Sequence, residues 1–347
     1  YSQTKPITGM ATMMLIEDGL ISLDQPLSDI FPEFANMQVL VDPEGALDNV
    51  EPAKLPITIR QLQTHTAGLG YTIISKGPIQ KAYLAAGLTP GRVSRNPIPG
   101  VDPGAPTPDI MTFMKRLSEM PLVYQPGTQW SYSLSHDVLS AVIEKVSGKP
   151  LDQFLQERMF GPLGMNSIFY QVPADRAGDL ADNYAPFAGA LIAIDPGATS
   201  IFLDKPAFSF GSTGLVGTAA DYDKFLQMLL GFGTHGGVQV MKPETAKLGM
   251  SNLLPETAST KGTWVANHGF GAGGRSGLGT EVSPAGTFGW GGAAGTSAFV
   301  DTVRDVRAGG YTQYIPSNSY PFQSDFPKYV YADLTGSAQA GAGNTSP

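Results

Sequence analysis

Two residues near the start of this 347-residue chain, Ser2 and Lys5, are three positions apart. On a helical turn positions i and i+3 share one face, so an amine there stands beside a hydroxyl. A serine hydroxyl is a weak nucleophile until a neighbouring base takes its proton, and a lysine serves as that base when desolvation or positive neighbours favour its neutral form. A helix N-terminus adds free backbone N–H groups that favour developing negative charge. The chemistry implied is nucleophilic acyl transfer. Alone, the Ser-x-x-Lys spacing decides little, because about one chance match is expected in a chain of this length, and a capping serine with an exposed lysine spells the same letters.

Two further stretches add weight. Trp130-Ser131-Tyr132-Ser133-Leu134-Ser135 follows the turn Gln125-Pro126-Gly127 and puts Tyr132 between helices, where polar side chains reach clefts. Phe288-Gly289-Trp290-Gly291-Gly292-Ala293-Ala294-Gly295-Thr296 reads as a strand whose glycines let a substrate approach the backbone, so that its edge can offer an N–H to an oxyanion. The plain alternatives are an interface tyrosine at Tyr132 and a core aromatic at Trp290. Asp137 reads as a helix-start residue or a cleft-lining acid, and Tyr71 as a loop-packing or cleft-lining ring.

The elements that must position these residues follow from apolar spacing and punctuation. Ile7, Met10, Met14 and Leu15 recur at helical spacing and Gly19 stops them, predicting a helix over 7–18 with Pro6 at its start. Further helices are predicted over 59–65, over 109–120 behind Asp109, over 136–147 closed by Gly148, over 151–160, over 219–230 behind Thr218, and over 325–334. Strands are predicted at 286–290, 296–301 and 310–314. The Pro- and Gly-rich segment 84–108 reads as a long surface loop that shapes a pocket, and 337–347 as a disordered tail.

Composition narrows the functions. Hydrophobic residues make up 42% and charged residues 15%, which excludes a disordered chain. The net charge of −8, without a Lys/Arg cluster, argues against nucleic acid or an anionic membrane surface as partner. The longest apolar stretches, 10–16 and 190–194, fall well short of the roughly 20 residues that span a bilayer. Zero cysteines exclude disulfides, thiolate metal sites and a cysteine nucleophile, and leave both redox compartments open; lacking a leader pattern, the start leans to the cytoplasm. His65, His136, His235 and His268 lack the spacing of a helical zinc site, so no metal is expected. Gly211-Ser212-Thr213-Gly214 falls short of a nucleophile elbow, and Gly269-x-Gly271-x-x-Gly274 lacks the strand-turn-helix setting of a dinucleotide site, so no cofactor is expected either.

In order and separation these stretches resemble the serine β-lactamase and penicillin-binding protein superfamily, with Ser-x-x-Lys and a late Lys-Thr-Gly strand among its signatures. The likeness is closest to its esterase branch, the family VIII carboxylesterases, which are similar to class C β-lactamases. Thr64-His65-Thr66-Ala67-Gly68-Leu69-Gly70-Tyr71, Gly161-Pro162-Leu163-Gly164-Met165 and Gly214-Leu215-Val216-Gly217-Thr218 extend it over most of the chain.

The resemblance implies an α/β (α+β) fold: an antiparallel sheet flanked by helices, from 1–54 and 221–336, with a mainly helical inserted domain over 55–220. It implies Ser2 as nucleophile, Lys5 and Tyr132 as its proton-handling partners, and the N–H groups of Ser2 and Ala293 as oxyanion hole. Trp290, Gly291, Gly292, Asp137 and Tyr71 would bind substrate. Leu134 stands where the family's Tyr-x-Asn element has Asn, and Trp290 where its strand has Lys. An indole offers an apolar face and one N–H donor in place of a cation for a carboxylate, which favours a small neutral ester, cleaved by a serine carboxylesterase with at most weak β-lactam hydrolysis. A β-lactamase or D-amino-acid peptidase and a non-catalytic member of the fold are the alternatives, and oligomeric state stays open. The family carries a helix and strands before its nucleophile, so an upstream segment in the native gene product is expected.

Overall fold

The computed structural model describes residues 1–98 and 101–334; the tail expected to be disordered, 337–347, lies outside the described residues. The first helix, α1 (Thr4–Glu17), starts earlier than its apolar spacing suggests, with Pro6 inside its first turn, where a missing N–H costs nothing. Residues Thr4 to Leu15 are all buried, so α1 is a central helix covered on every side and not a one-faced surface helix. Within it, Thr12 is accommodated locally, its Oγ1 donating to the carbonyl of Thr8 at 3.0 Å. Gly9 lets a neighbouring backbone touch the helix, since a Cβ there would lie 2.2 Å from the carbonyl oxygen of Ala272. Gly9→Ala is therefore expected to lower stability by about 2–3 kcal/mol, read as a lower urea midpoint at unchanged m-value.

Helix α2 (Ile59–Gln63) begins in a capping box made by Thr58 and Gln61. Helix α3 (Gly77–Ala85) had no sequence signal strong enough to set it apart from its loop-rich surroundings. Asp109 caps α4 (Ile110–Ser118) by accepting from Met111 N and Thr112 N, and Gly148, at φ +72°, closes α5 (Ser135–Ser147). Helix α6 (Leu151–Leu155) runs into a π-helical turn over Gln156–Phe160. The later helices are α7 (Ala219–Leu230, capped by Thr218), α8 (Pro243–Met250) and α9 (Phe322–Leu334).

Short antiparallel ribbons lie outside the main sheet: β1 (Gln38–Leu40) with β2 (Val50–Pro52), β3 (Ile168–Phe169) with β6 (Val216–Gly217), β4 (Asn183–Phe187) with β5 (Ala190–Asp195), and β7 (Thr234–His235) with β8 (Val238–Gln239). The segment 55–220 thus carries α2 to α6 together with the ribbon strands β3 to β6.

The main sheet has five antiparallel strands where three were expected, in the order β13-β12-β11-β10-β9. The added strands, β9 (Gly269–Phe270) and β10 (Arg275–Ser276), are two residues each and flank a glycine-rich turn, so they carry no alternation to read. Strands β11 (Thr287–Gly291) and β12 (Ser297–Asp301) lie where the sequence put them. The last strand, expected at 310–314, is β13 at Val306–Gly310, one hairpin turn after β12. Helix α7 packs on β12 and β13, α9 on β13, and α1 is wedged between β11, α5 and α8. Among the described residues no helix is long and apolar enough to cross a membrane.

Candidate active site

Ser2 sits just before α1. Thr4 N donates to Tyr1 O at 2.9 Å and Lys5 N to Ser2 O at 3.1 Å, two tight turns that put Ser2 and Lys5 on one side. Lys5 Nζ donates to Ser2 Oγ at 3.2 Å and to the carbonyl of Ser212 at 2.9 Å, and its side chain is fully buried. Among the described residues Lys5 has no carboxylate within ion-pair distance.

The Ser212 carbonyl is delivered by a glycine and an acid. A Cβ on Gly211 would lie 2.1 Å from the carbonyl oxygen of His136 and 2.4 Å from Ser140 Oγ, so the chain at 211–212 can lie flat on α5 only because Gly211 has none. Ser212 N then donates to Asp137 Oδ1 at 3.0 Å. Of the two readings of Asp137, the structure has the helix-start one and not the cleft-lining one: it stands in the first turn of α5, fully buried, and fastens the strap that holds Lys5. Tyr71, 1% exposed, is likewise closed to a substrate; it meets the Tyr132 ring edge-on at 5.4 Å and lies 5.9 Å from Lys5 Nζ. Side-chain direction, which sequence spacing does not carry, decided both corrections.

Burial pushes the Asp137 carboxyl up to about 6, against the opposing pull of Ser212 and Lys5. Burial, with the repulsion of Lys5, holds His65 and His136 well below the ordinary imidazole range. The signs oppose. The unfolded chain binds protons at both histidines as pH falls through about 6.5, which lowers stability by about 1.4 kcal/mol per pH unit for each; below pH 6 the native Asp137 takes up a proton ahead of its unfolded counterpart and offsets one of them down to about pH 4. Asp137→Asn removes that offset. Relative to wild type, this variant is expected to lose about 3 kcal/mol between pH 6.5 and pH 3.5, measured by urea unfolding at each pH.

Tyr132 lies in an extended segment threaded between two backbones: Ser131 N donates to His65 O at 2.9 Å and Trp130 N to Ser259 O at 2.8 Å. Its ring is stacked on Trp130 and flanked by Trp264 at 5.3 Å and Trp290 at 5.8 Å, so all three tryptophans of the chain surround one tyrosine. Lys5 Nζ lies 4.4 Å from the Tyr132 ring centroid. The phenol oxygen accepts from Trp290 Nε1 at 3.1 Å and makes no hydrogen bond to Ser2 or Lys5 among the described residues. The structure thus bonds Ser2 to Lys5 and brings Tyr132 to them through its ring face.

The glycine-rich strand end completes the site. Trp290 pairs with Ala298 and Gly291 with Ser297, after which Gly292 turns the chain, its N–H donating to Thr296 O at 2.9 Å. A Cβ on Gly292 would lie 2.3 Å from Thr296 Oγ1 and 3.6 Å from Ser2 N, so the strand end adjoins Ser2 and needs glycine to do so. Neither Ser2 N nor Ala293 N donates to an acceptor among the described residues. The turn is pinned from behind by Gln323 of α9, whose Nε2 donates to Gly292 O at 2.8 Å and Thr296 O at 2.7 Å. The sequence reading missed Ser212, Trp264 and Gln323. Of these only Trp264 left a signal, the rarity of tryptophan in the chain.

Comparison with known proteins agrees with this architecture. Residues 1–323 match the Beta-lactamase family. Protein Rv1367c of Mycobacterium tuberculosis is 33% identical over 316 residues, 88% of this chain and 74% of that protein. Lovastatin esterase of Penicillium rubens is 33% identical over 264 residues, 75% of this chain and 60% of that one. Among solved structures, EstCE1, described as a hydrolase with promiscuous acyltransferase activity, superposes with a TM-score of 0.74 at 27% identity, covering 95% of this chain and 83% of its own. With a Ser-x-x-Lys pair at the head of a buried helix beside the glycine-lined edge of an antiparallel sheet, the chain belongs to the β-lactamase family.

Proposed function

We propose that this protein hydrolyses short-chain carboxylic esters through an acyl-enzyme on Ser2. The observation that carries the reading is the buried Lys5–Ser2 hydrogen bond at 3.2 Å next to two backbone N–H groups without protein acceptors. Ser2 Oγ attacks the ester carbonyl carbon while its proton passes to Lys5 Nζ, 3.2 Å away. The tetrahedral oxyanion lies against the N–H groups of Ser2 and Ala293, donors of a kind worth roughly 3–4 kcal/mol each in the barrier. The alkoxide leaves with the proton that Ser2 gave up, returned by Lys5 directly or by way of the Tyr132 hydroxyl once substrate lies between them, and water cleaves the acyl-serine with the same groups in reverse. The names of lovastatin esterase and EstCE1 support ester chemistry on this fold. The indole of Trp290 where a cation would stand favours esters over β-lactams.

A panel of p-nitrophenyl esters from acetate to long chain, with a chromogenic cephalosporin, tests this on wild type and Ser2→Ala. Short esters should be turned over with kcat/KM at least about 100-fold above the cephalosporin, and Ser2→Ala should abolish both. Faster cephalosporin turnover, or ester hydrolysis that survives Ser2→Ala, would overturn the reading. The tryptophan wall around Tyr132 also favours deacylation by an alcohol in place of water. For that second reading, added 1-butanol should yield butyl ester at the expense of free acid.

A further inference from the structure

The arginines of this chain mostly face aspartates: Arg60, Arg95, Arg158, Arg176, Arg304 and Arg307 each have one within ion-pair distance. Arg275, on β10, has none among the described residues, although the chain carries an excess of eight acidic residues. Its side chain is half-buried, and burial disfavours its charge with no opposite charge to offset it. Among the described residues one of its five N–H donors is used, from Nη2 to the carbonyl of Trp264 at 2.7 Å, and the buried Nε has no partner. His268 beside it is pushed down to about 4 by burial and by Arg275, so that imidazole adds no charge.

The place of this guanidinium gives it a use. Its carbon lies 5.6 Å from the ring centroid of Trp290, the residue whose Nε1 donates to the Tyr132 phenol, and its anchor Trp264 is 55% exposed and flanks the same phenol ring. Arg275 is therefore in contact with two of the tryptophans that surround the Tyr132 ring, and its planar fork is suited to a carboxylate.

We propose that Arg275 is a specificity-determining residue that binds a carboxylate carried by the ester substrate, remote from the carbonyl that reacts. This rests on the esterase reading and refines it. This cation does not replace the one missing at Trp290 but lies on the neighbouring strand, where it meets a carboxylate held away from the reacting carbonyl, so among esters a monoester of a dicarboxylic acid or an ester of a hydroxy acid gains a contact. A neutral ester of the same length binds by its apolar parts alone.

Two anionic probes with neutral counterparts test it: mono-p-nitrophenyl glutarate against p-nitrophenyl butyrate for an acid on the acyl side, and 3-(butyryloxy)benzoate against its methyl ester for an acid on the alcohol side. In Arg275→Gln, kcat/KM for at least one anionic probe should fall about 10-fold or more, chiefly through KM, while both neutral esters stay within about 3-fold. Arg275→Lys should keep part of the preference, and raised salt should weaken the wild-type preference and leave Arg275→Gln unmoved. Equal losses on anionic and neutral esters would make Arg275 a prop for Trp264 and overturn the proposal, as would no selective loss on either anionic probe. Absence of Ser2-dependent turnover of the neutral esters would instead overturn the esterase reading itself.

Discussion

Exchanging Lys5 for methionine is expected to lower kcat/KM on a short p-nitrophenyl ester by about 10³- to 10⁴-fold while the protein stays folded. Lys5 is fully buried, and methionine is an unbranched side chain of similar reach that fills the same tunnel between Ser2, Tyr71 and Tyr132. The exchange removes the proton acceptor 3.2 Å from Ser2 Oγ and leaves the Ser212 carbonyl without its donor. That orphaned carbonyl costs about 1–3 kcal/mol, against which the variant no longer has to bury an amine. Stability should therefore change far less than rate. Steady-state kinetics with near-ultraviolet circular dichroism checks both halves, and a Lys5→Met enzyme within about 10-fold of wild type would remove Lys5 from the chemistry.

Tyr132→Phe is expected to cost about 10²- to 10³-fold in kcat/KM, less than the exchange of Lys5. The ring stays, so its contacts with Trp130, Trp264, Tyr71 and Lys5 stay as well. What disappears is a single hydroxyl, the acceptor of the Trp290 N–H. If that bond only orients the indole, KM should rise with kcat nearly unchanged. If the hydroxyl serves the departing alkoxide, kcat should fall, and more steeply for alkyl esters than for p-nitrophenyl esters, whose leaving group needs no proton. Comparing ethyl butyrate with p-nitrophenyl butyrate separates the two, and a loss under about 3-fold on both would exclude the hydroxyl from proton transfer.

The pair that opens the site was legible because it is local: three positions on one helical turn fix Ser2 against Lys5 whatever the rest of the chain does. Tyr132 and the Trp290-Gly291-Gly292 stretch were legible as motifs, and the strand carrying the latter was found because β11 and β12 carry aromatic and β-branched residues on either side of a glycine-rich turn. Strands β9 and β10 stayed hidden because two residues cannot show a period. Asp137 was legible as a helix-start residue, but its substrate-binding role was not decidable, because whether a side chain turns toward substrate or toward a passing backbone is settled by Gly211 and Ser212, far along the chain. The Ser212 carbonyl itself lies 207 positions from the lysine it binds, as a backbone atom in a run dismissed as a failed elbow. Arg275 gave no signal at all, since a missing counter-charge exists only once the chain is folded.

Mass spectrometry of the intact protein quenched within seconds of mixing with a slowly deacylating p-nitrophenyl ester reads the acyl-enzyme itself. The account predicts a single adduct of the acyl group's mass, mapping to the peptide that contains Ser2 and absent from Ser2→Ala. An adduct on any other residue, or full turnover by Ser2→Ala, would contradict it.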